Sequence, residues 1–159
     1  MTHTPVYLAL GTNLGDRQAN LETAKEMMPP EVVVMRESPI YVTPPWGYEN
    51  QPDFLNQVIQ VQTDLPPKTL LYFLKNIENE MGREKRFRNG PRLIDLDIIF
   101  YGQRVVDEED LQIPHPRLEG RAFVLVPLND LAPDFVHPTL DKTINEMVAE
   151  TDTSGVRPL

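Results

Sequence analysis

A chain of 159 residues is long enough to bury a real core within one domain, and 40% hydrophobic with 25% charged residues is ordinary globular composition. No apolar run approaches the length of a bilayer span, the start MTHTPVYLAL lacks the basic and long apolar segments of a secretory signal, and the absence of cysteine excludes disulfides and thiolate metal sites. A formal net charge of -9 argues against broad adhesion to nucleic acid or anionic membrane, so any anion site must be local.

Residues 6–11, VYLALG, are short and apolar and end at glycine, which predicts a first strand. Asp16 is a good N-cap, and Leu21, Ala24 and Met28 share one helical face before Pro29 and Pro30 stop the helix. GTNLGD, between the two, is too short for a P-loop and lacks its lysine, so it reads as a strand-to-helix turn. VVVMRESPIYV is β-branched to about Val42 and predicts a strand interrupted at Ser38-Pro39 by a bulge or an edge position. TPPWGYENQPDF, residues 43–54, is proline-rich and aromatic without periodicity, hence a long loop between two strands. Loops of that length inside compact domains are usually functional or disordered.

FLNQVIQVQT resumes as a strand. Leu70, Leu74, Ile77 and Met81 then recur at helical spacing, with proline near the start of the segment and Gly82 just past its end. A basic stretch, GREKRFRNGPR, carries Arg83, Lys85, Arg86, Arg88 and Arg92 against a single Glu84, and a final greasy strand follows it. Strand, helix, strand, strand, helix, strand is the order of the ferredoxin-like split βαβ arrangement. The predicted class is therefore α+β, a βαββαβ core with helices packed on a mainly antiparallel sheet, plus a C-terminal extension. In that extension residues 122–128 predict a short helix, Asp141 the cap of a last helix through about Glu150, and TDTSGVRPL a loose tail. Residues 1–159 are expected to form one domain.

The final strand, within NGPRLIDLDIIFYG, sets two aspartates one residue apart in an apolar run. On a strand Ile94, Leu96, Ile98 and Phe100 all point one way into a core, and Asp95 and Asp97 share the other face, their side chains roughly 6 to 7 Å apart. Two carboxylates partly withdrawn from water at that spacing repel each other, so something positive belongs between them. Oxygen ligands without cysteine or a histidine pair favour Mg²⁺, which takes one or two carboxylates plus phosphate oxygens. Such an Asp pair is a metal-phosphate platform, suited to phosphoryl transfer, where positioning and charge neutralisation do most of the catalysis. Taken alone the pair also reads as a solvated edge, and the basic stretch as a solvated loop; their adjacency favours the metal reading. The long loop offers a second half-site. Trp46, Tyr48 and Phe54, with Phe123 downstream, could sandwich a flat heterocycle, while the Asn56 amide could read a ring edge; core packing is the plainer fate for Phe54 and Phe123 taken singly.

Five motifs occur in order: G-x-N-x-G at 11–15, TPP-W-G at 43–47, QPDFLN at 51–56, GPRLIDLDIIFYG at 90–102 and IPHPRLEGRAFVLVPL at 113–128. Together they resemble 6-hydroxymethyl-7,8-dihydropterin pyrophosphokinase of folate biosynthesis, over roughly residues 6 to 135. The resemblance implies transfer of pyrophosphate from ATP, the co-substrate, to the pterin hydroxymethyl oxygen with release of AMP. It implies that Asp95 and Asp97 hold two Mg²⁺ ions and that Arg83 and Arg92 steady the phosphates, these four being the catalytic set. It assigns Thr43, Pro44, Trp46, Phe54, Asn56 and Phe123 to the pterin, with the ring between Phe54 and Phe123. It assigns Lys75, Glu78, Ile98, Leu111, His115 and Arg121 to ATP. Against the family pattern, Asn89 stands in place of a lid aromatic, Lys75 in place of a glutamine, and Asp110 and Pro116 in place of an arginine and a tyrosine.

The expected partners are small molecules only, with no nucleic acid and no membrane, in a cytoplasmic protein for which a monomer is favoured. A ferredoxin-like nucleotide- or RNA-binding module without catalysis is the alternative, disfavoured by the acidic charge and the missing aromatic RNP pattern. A Mg²⁺-dependent nuclease using the same Asp pair ranks with it.

Overall fold

Leucines alternate with small or aromatic residues along the first strand, and that alternation separates two cores. The computed structural model describes residues 4–45, 50–82 and 93–159. In Val6–Thr12 (β1), Leu8 and Leu10 enter a core shared with the helices Arg17–Glu26 (α1) and Pro67–Glu80 (α2). Tyr7 and Ala9 turn to the other face, where Ala122–Leu131 (α3) and Ile144–Ala149 (α4) pack. The result is three layers, helices on both faces of one sheet.

Four further strands of this sheet are Val32–Glu37 (β2), Tyr41–Thr43 (β3), Phe54–Thr63 (β4) and Asp95–Tyr101 (β5). Their spatial order is β5, β1, β4, β3, with β2 also alongside β4, and each of these pairings is antiparallel. That is the split βαβ order expected from the sequence, with one predicted strand divided. The division falls at Ser38-Pro39, and Ser38 bridges it: its N–H donates to the Val58 carbonyl and its Oγ accepts from the Val58 N–H at 3.0 Å. Both core helices begin as their sequences dictate and α2 ends so, whereas α1 ends at Glu26 and Met28 joins the core from the turn beyond it. Asp16 caps α1 by accepting from Ala19 N–H at 3.1 Å, and α2 starts on Pro67 and stops before Gly82, whose φ of +83° suits glycine. No helix of the described residues is long and apolar enough to cross a membrane.

Four expectations are corrected. Phe100 does not share a face with Leu96 and Ile98. Leu8 pairs with Ile98 but Tyr7 with Phe100, so Ile99 is an extra residue in β5, and this bulge turns Phe100 into the α3–α4 core, where it meets Tyr7 and Phe135. The last helix is capped by Thr143, whose side chain accepts from Glu146 N–H while the Glu146 carboxylate accepts from Thr143 N–H, and Asp141 instead occupies the preceding turn at a φ of 56°. The short helix continues through Pro127 to Leu131. Finally, the last residues are not a loose tail: Arg157–Pro158 (β8) pairs antiparallel with β3, and Leu159 N–H donates to Ile40 O at 3.0 Å. A separate hairpin, Val106–Glu108 (β6) and Leu111–Ile113 (β7), leads into the IPHPRLEG segment.

Candidate active site

The floor of the site is made by what β1 lacks. On the face turned to α3, β1 presents Ala9 and Gly11, while the strands on either side carry polar groups at the same level. Gly11 is the cross-strand partner of both Asp95 on β5 and Asn56 on β4, and Asn56 is in turn the partner of Tyr41 on β3. Ala9 likewise pairs with Asp97. Adjacent strands lie about 4.8 Å apart, so the Asp95 and Asn56 strands are separated by about 10 Å with no side chain at Gly11 to fill the gap. A Cβ there would sit 3.6 Å from Asn56 Oδ1 and 3.9 Å from Phe54, which places both groups beside the opening.

A cavity of about 680 Å³ occupies this space. Asp95 and Asp97 line one end with His115 and Arg121; Thr43, Pro44, Phe54 and Asn56 line the other; and Phe123, in the first turn of α3, lines it as well. Asn56 is buried, and its Nδ2 donates to Thr43 Oγ1 at 2.8 Å. The segment leading into Phe54 is fixed from the β1–α1 turn. Fully buried Asn13 donates to Gln51 Oε1 at 2.9 Å and to Pro52 O at 3.0 Å, and Arg17 donates to Asp53 O at 2.9 Å. The GTNLGD turn therefore carries a positioning role as well as a connecting one.

Charge at the aspartate end is arranged in layers. The Arg121 guanidinium lies 5.4 Å over the Phe123 ring; burial draws its pKa down from the usual arginine value, and the carboxylate of Asp97 opposes that shift. His115 is held neutral, its pKa pushed down to about 4 by burial first and then by the cations of Arg121 and Arg117. Its Nδ1 accepts from the Arg117 N–H at 3.2 Å, which leaves the proton of the neutral ring on Nε2 as a donor. The His115 backbone N–H donates to Ile99 O at 3.0 Å, so the bulged residue of β5 anchors the segment carrying His115.

Among the described residues, no group of three or more His, Asp or Glu side chains is arranged to hold a metal unaided. Two carboxylates facing a cavity, with the other positions left to water and phosphate oxygens, is the donor set that Mg²⁺ takes. The residues fit that ion.

A family model described as 7,8-dihydro-6-hydroxymethylpterin-pyrophosphokinase (HPPK) matches residues 7–133. The chain belongs to this family. It is 41% identical over 145 residues to 2-amino-4-hydroxy-6-hydroxymethyldihydropteridine pyrophosphokinase of Aquifex aeolicus, covering 91% of both chains, and 41% identical over 153 residues to the protein of that name from Bacillus subtilis. It is 45% identical over 150 residues to folic acid synthesis protein FOL1 of Dictyostelium discoideum, of whose length it spans 23%. A solved Plasmodium falciparum HPPK-DHPS shares the fold, with a TM-score of 0.76 over 94% of this chain and 42% of that one, at 20% identity.

Both long HPPK motifs, at 90–102 and 113–128, fall inside the matched span. Four residues that the resemblance to HPPK assigns to ATP do not line the cavity. Ile98 and Leu111 are buried in the core under α1 and α2, Lys75 is exposed on α2, and Glu78 is buried with its Oε2 accepting from Leu96 N–H at 2.7 Å. Glu78 therefore grips β5 between the two aspartates from behind. Trp46, Arg83 and Arg92 lie outside the described residues, as do Tyr48 and Asn89. Sequence reasoning missed Ala9, Gly11, Arg117, Asp152, Gly155 and Val156 as cavity residues. For β1 the signal was present, since the side chains of VYLALG shrink on one face only.

Proposed function

We propose that this chain transfers pyrophosphate from ATP to the hydroxymethyl oxygen of 6-hydroxymethyl-7,8-dihydropterin, releasing AMP. The observation that carries this reading is the cross-strand row Asp95, Gly11, Asn56: an acid pair and an amide suited to a ring edge face one cavity across a residue with no side chain. The pterin ring is assigned to the end between Phe54 and Phe123, its edge read by Asn56 and Thr43. ATP is assigned to the end holding the aspartates, His115 and Arg121.

Asp95 and Asp97 would hold two Mg²⁺ ions, which when bound would neutralise phosphate charge and favour loss of the hydroxymethyl proton. The chain's own residues then supply binding and alignment. Neutral His115 donates from Nε2, Arg121 meets anionic oxygen from its seat on Phe123, and Asn56 with the paired aromatics fixes the pterin so that its oxygen lies in line with the β-phosphorus. The hydroxymethyl oxygen forms the new bond to that phosphorus, the bond from it to the α–β bridging oxygen breaks, and AMP leaves with the bridging oxygen. The hydroxyl proton passes to solvent, and no side-chain base is required. Arg83 and Arg92 are assigned to the phosphates, and Trp46 to the pterin, on the motif resemblance.

Incubation with ATP, Mg²⁺ and the hydroxymethyl dihydropterin is expected to yield AMP only when all three are present. Appearance of ADP instead would show that the γ-phosphoryl group moves and would overturn the reading. Asp97→Ala is expected to lower the rate about a hundredfold or more while leaving pterin binding comparatively intact.

A further inference from the structure

We propose that residues 155–157 form the outer wall of the heterocycle end of the cavity and set its width, which makes Gly155 a specificity-determining residue and Arg157 a positioning residue. This rests on placing the pterin at the end that holds Phe54 and Asn56. Nothing in the family match assigns these residues, because the matched span stops at residue 133.

Three observations converge on the wall. First, β8 extends the sheet past β3, with Val42 opposite Arg157 and Tyr41 opposite Pro158. Antiparallel continuation then carries Gly155 and Val156 alongside Thr43 and Pro44, and both line the cavity. Second, a Cβ at Gly155 would stand 3.9 Å from Pro44 Cδ, an ordinary contact distance, and the Gly155 φ lies outside the left-handed region. The backbone does not demand glycine here. What glycine provides is width, since any larger side chain would project beside Pro44 at the cavity edge. Third, Arg157 Nη2 lies 3.3 Å from Asp53 Oδ2, and Asp53 immediately precedes Phe54. Arg157 thus meets the residue that precedes Phe54, and Gly155 lines the cavity together with Pro44. Arg17 also donates to the Asp53 carbonyl, so the residue before Phe54 is tied both to the start of α1 and to β8.

The chemical consequence is selectivity by size. A flat bicyclic ring lying over Asn56 with its far edge toward Pro44 meets backbone at Gly155, so ring substituents on that edge are tolerated only as far as that gap allows. The ATP end, on β5 at the opposite side of the sheet, is remote from this wall.

The test uses the whole chain with Mg²⁺ and ATP, measuring KM for the hydroxymethyl dihydropterin and for ATP separately, and pterin affinity by calorimetry with a non-hydrolysable ATP analogue. Gly155→Leu is expected to raise pterin KM about tenfold or more with ATP KM and melting temperature unchanged. Arg157→Glu is expected to raise pterin KM about threefold to fivefold, and the exchanged pair Asp53→Arg with Arg157→Glu to restore it. If the unaltered chain binds the pterin and both Gly155→Leu and Arg157→Glu bind it equally well, the wall is overturned while the pterin placement stands. An equal rise in ATP KM in either variant also overturns it. If the folded, unaltered chain binds no hydroxymethyl pterin, both the placement and the wall fall.

Discussion

The His115 ring is neutral because it is buried beside two arginines, and that arrangement makes stability depend on pH. Unfolded, the imidazole takes a proton near its ordinary 6.5; folded, only near 4. Between those values the unfolded chain binds more protons, so the full contribution is present above about pH 6.5 and is lost as pH falls toward 4. At pH 5 the loss is about 1 to 2 kcal/mol after allowance for part exposure. His115→Gln should therefore flatten the fall in urea-unfolding free energy between pH 7 and pH 5. His137, whose pKa is also lowered by burial against a smaller opposing effect of Glu119, leaves a residual slope. Gly11 argues the opposite kind of role, by absence. Gly11→Val has room for its Cβ and suits a strand, so the melting temperature should hold within a few degrees while AMP formation drops about a hundredfold, because the methyls fill the gap between Asp95 and Asn56. A large fall in melting temperature would show that Gly11 serves packing instead. The acid pair was legible in the sequence because charge in an apolar run is conspicuous, whereas an absent side chain shows only once its neighbours across the sheet are known.

β5 is the element on which the site turns. Its period-two alternation puts Leu96 and Ile98 behind the sheet and the aspartates in front, and the extra residue Ile99 then carries Phe100 to the front as well. The run IIFY is apolar throughout, so nothing in its periodicity marks where a bulge falls, and that is why the flip of Phe100 was not legible. Glu78 supports the same strand from α2. The residue is 5% exposed and its carboxylate accepts the Leu96 N–H at 2.7 Å, an arrangement in which a buried acid fixes a backbone register. Glu78→Ala leaves that buried N–H without its acceptor, at a cost of about 2 kcal/mol, or roughly 4 to 8 °C in melting temperature for a chain of this size. Slackening between the aspartates should also lower turnover, with pterin binding less affected. Glu78→Gln, which keeps an acceptor oxygen, should recover most of the stability; failure to do so would mean that charge rather than the hydrogen bond is what matters there. The last helix teaches a related lesson. Asp141 and Thr143 are both residues that cap helices, and only the reciprocal partner Glu146, three residues past Thr143, distinguishes them.

Across the whole molecule, strand order followed from the sequence because the segments were well marked: a short apolar run ending at glycine in β1, helical spacing in α1 and α2, and proline or glycine at the breaks. The docking of residues 157–158 on β3 was not legible, since TDTSGVRPL has no periodicity and its partner strand is more than a hundred residues away in sequence. The charge balance was legible at the same scale, and it leads to a thermodynamic test. A chain of net charge -9 presents two carboxylates to the cavity that is proposed to receive a triphosphate, so Mg²⁺ held by that pair would strengthen ATP binding there. Ligand that binds only the folded state stabilises it by about 2.7 kcal/mol at a hundred times its dissociation constant, which is about 5 to 10 °C for this chain length. Thermal unfolding with ATP and Mg²⁺ should show that rise, and EDTA should remove most of it. In the double variant Asp95→Asn, Asp97→Asn the proposed metal seat is gone, so whatever rise ATP produces should be the same with Mg²⁺ or EDTA. A double variant that still needs Mg²⁺ for its thermal shift would place the metal seat elsewhere than on this pair.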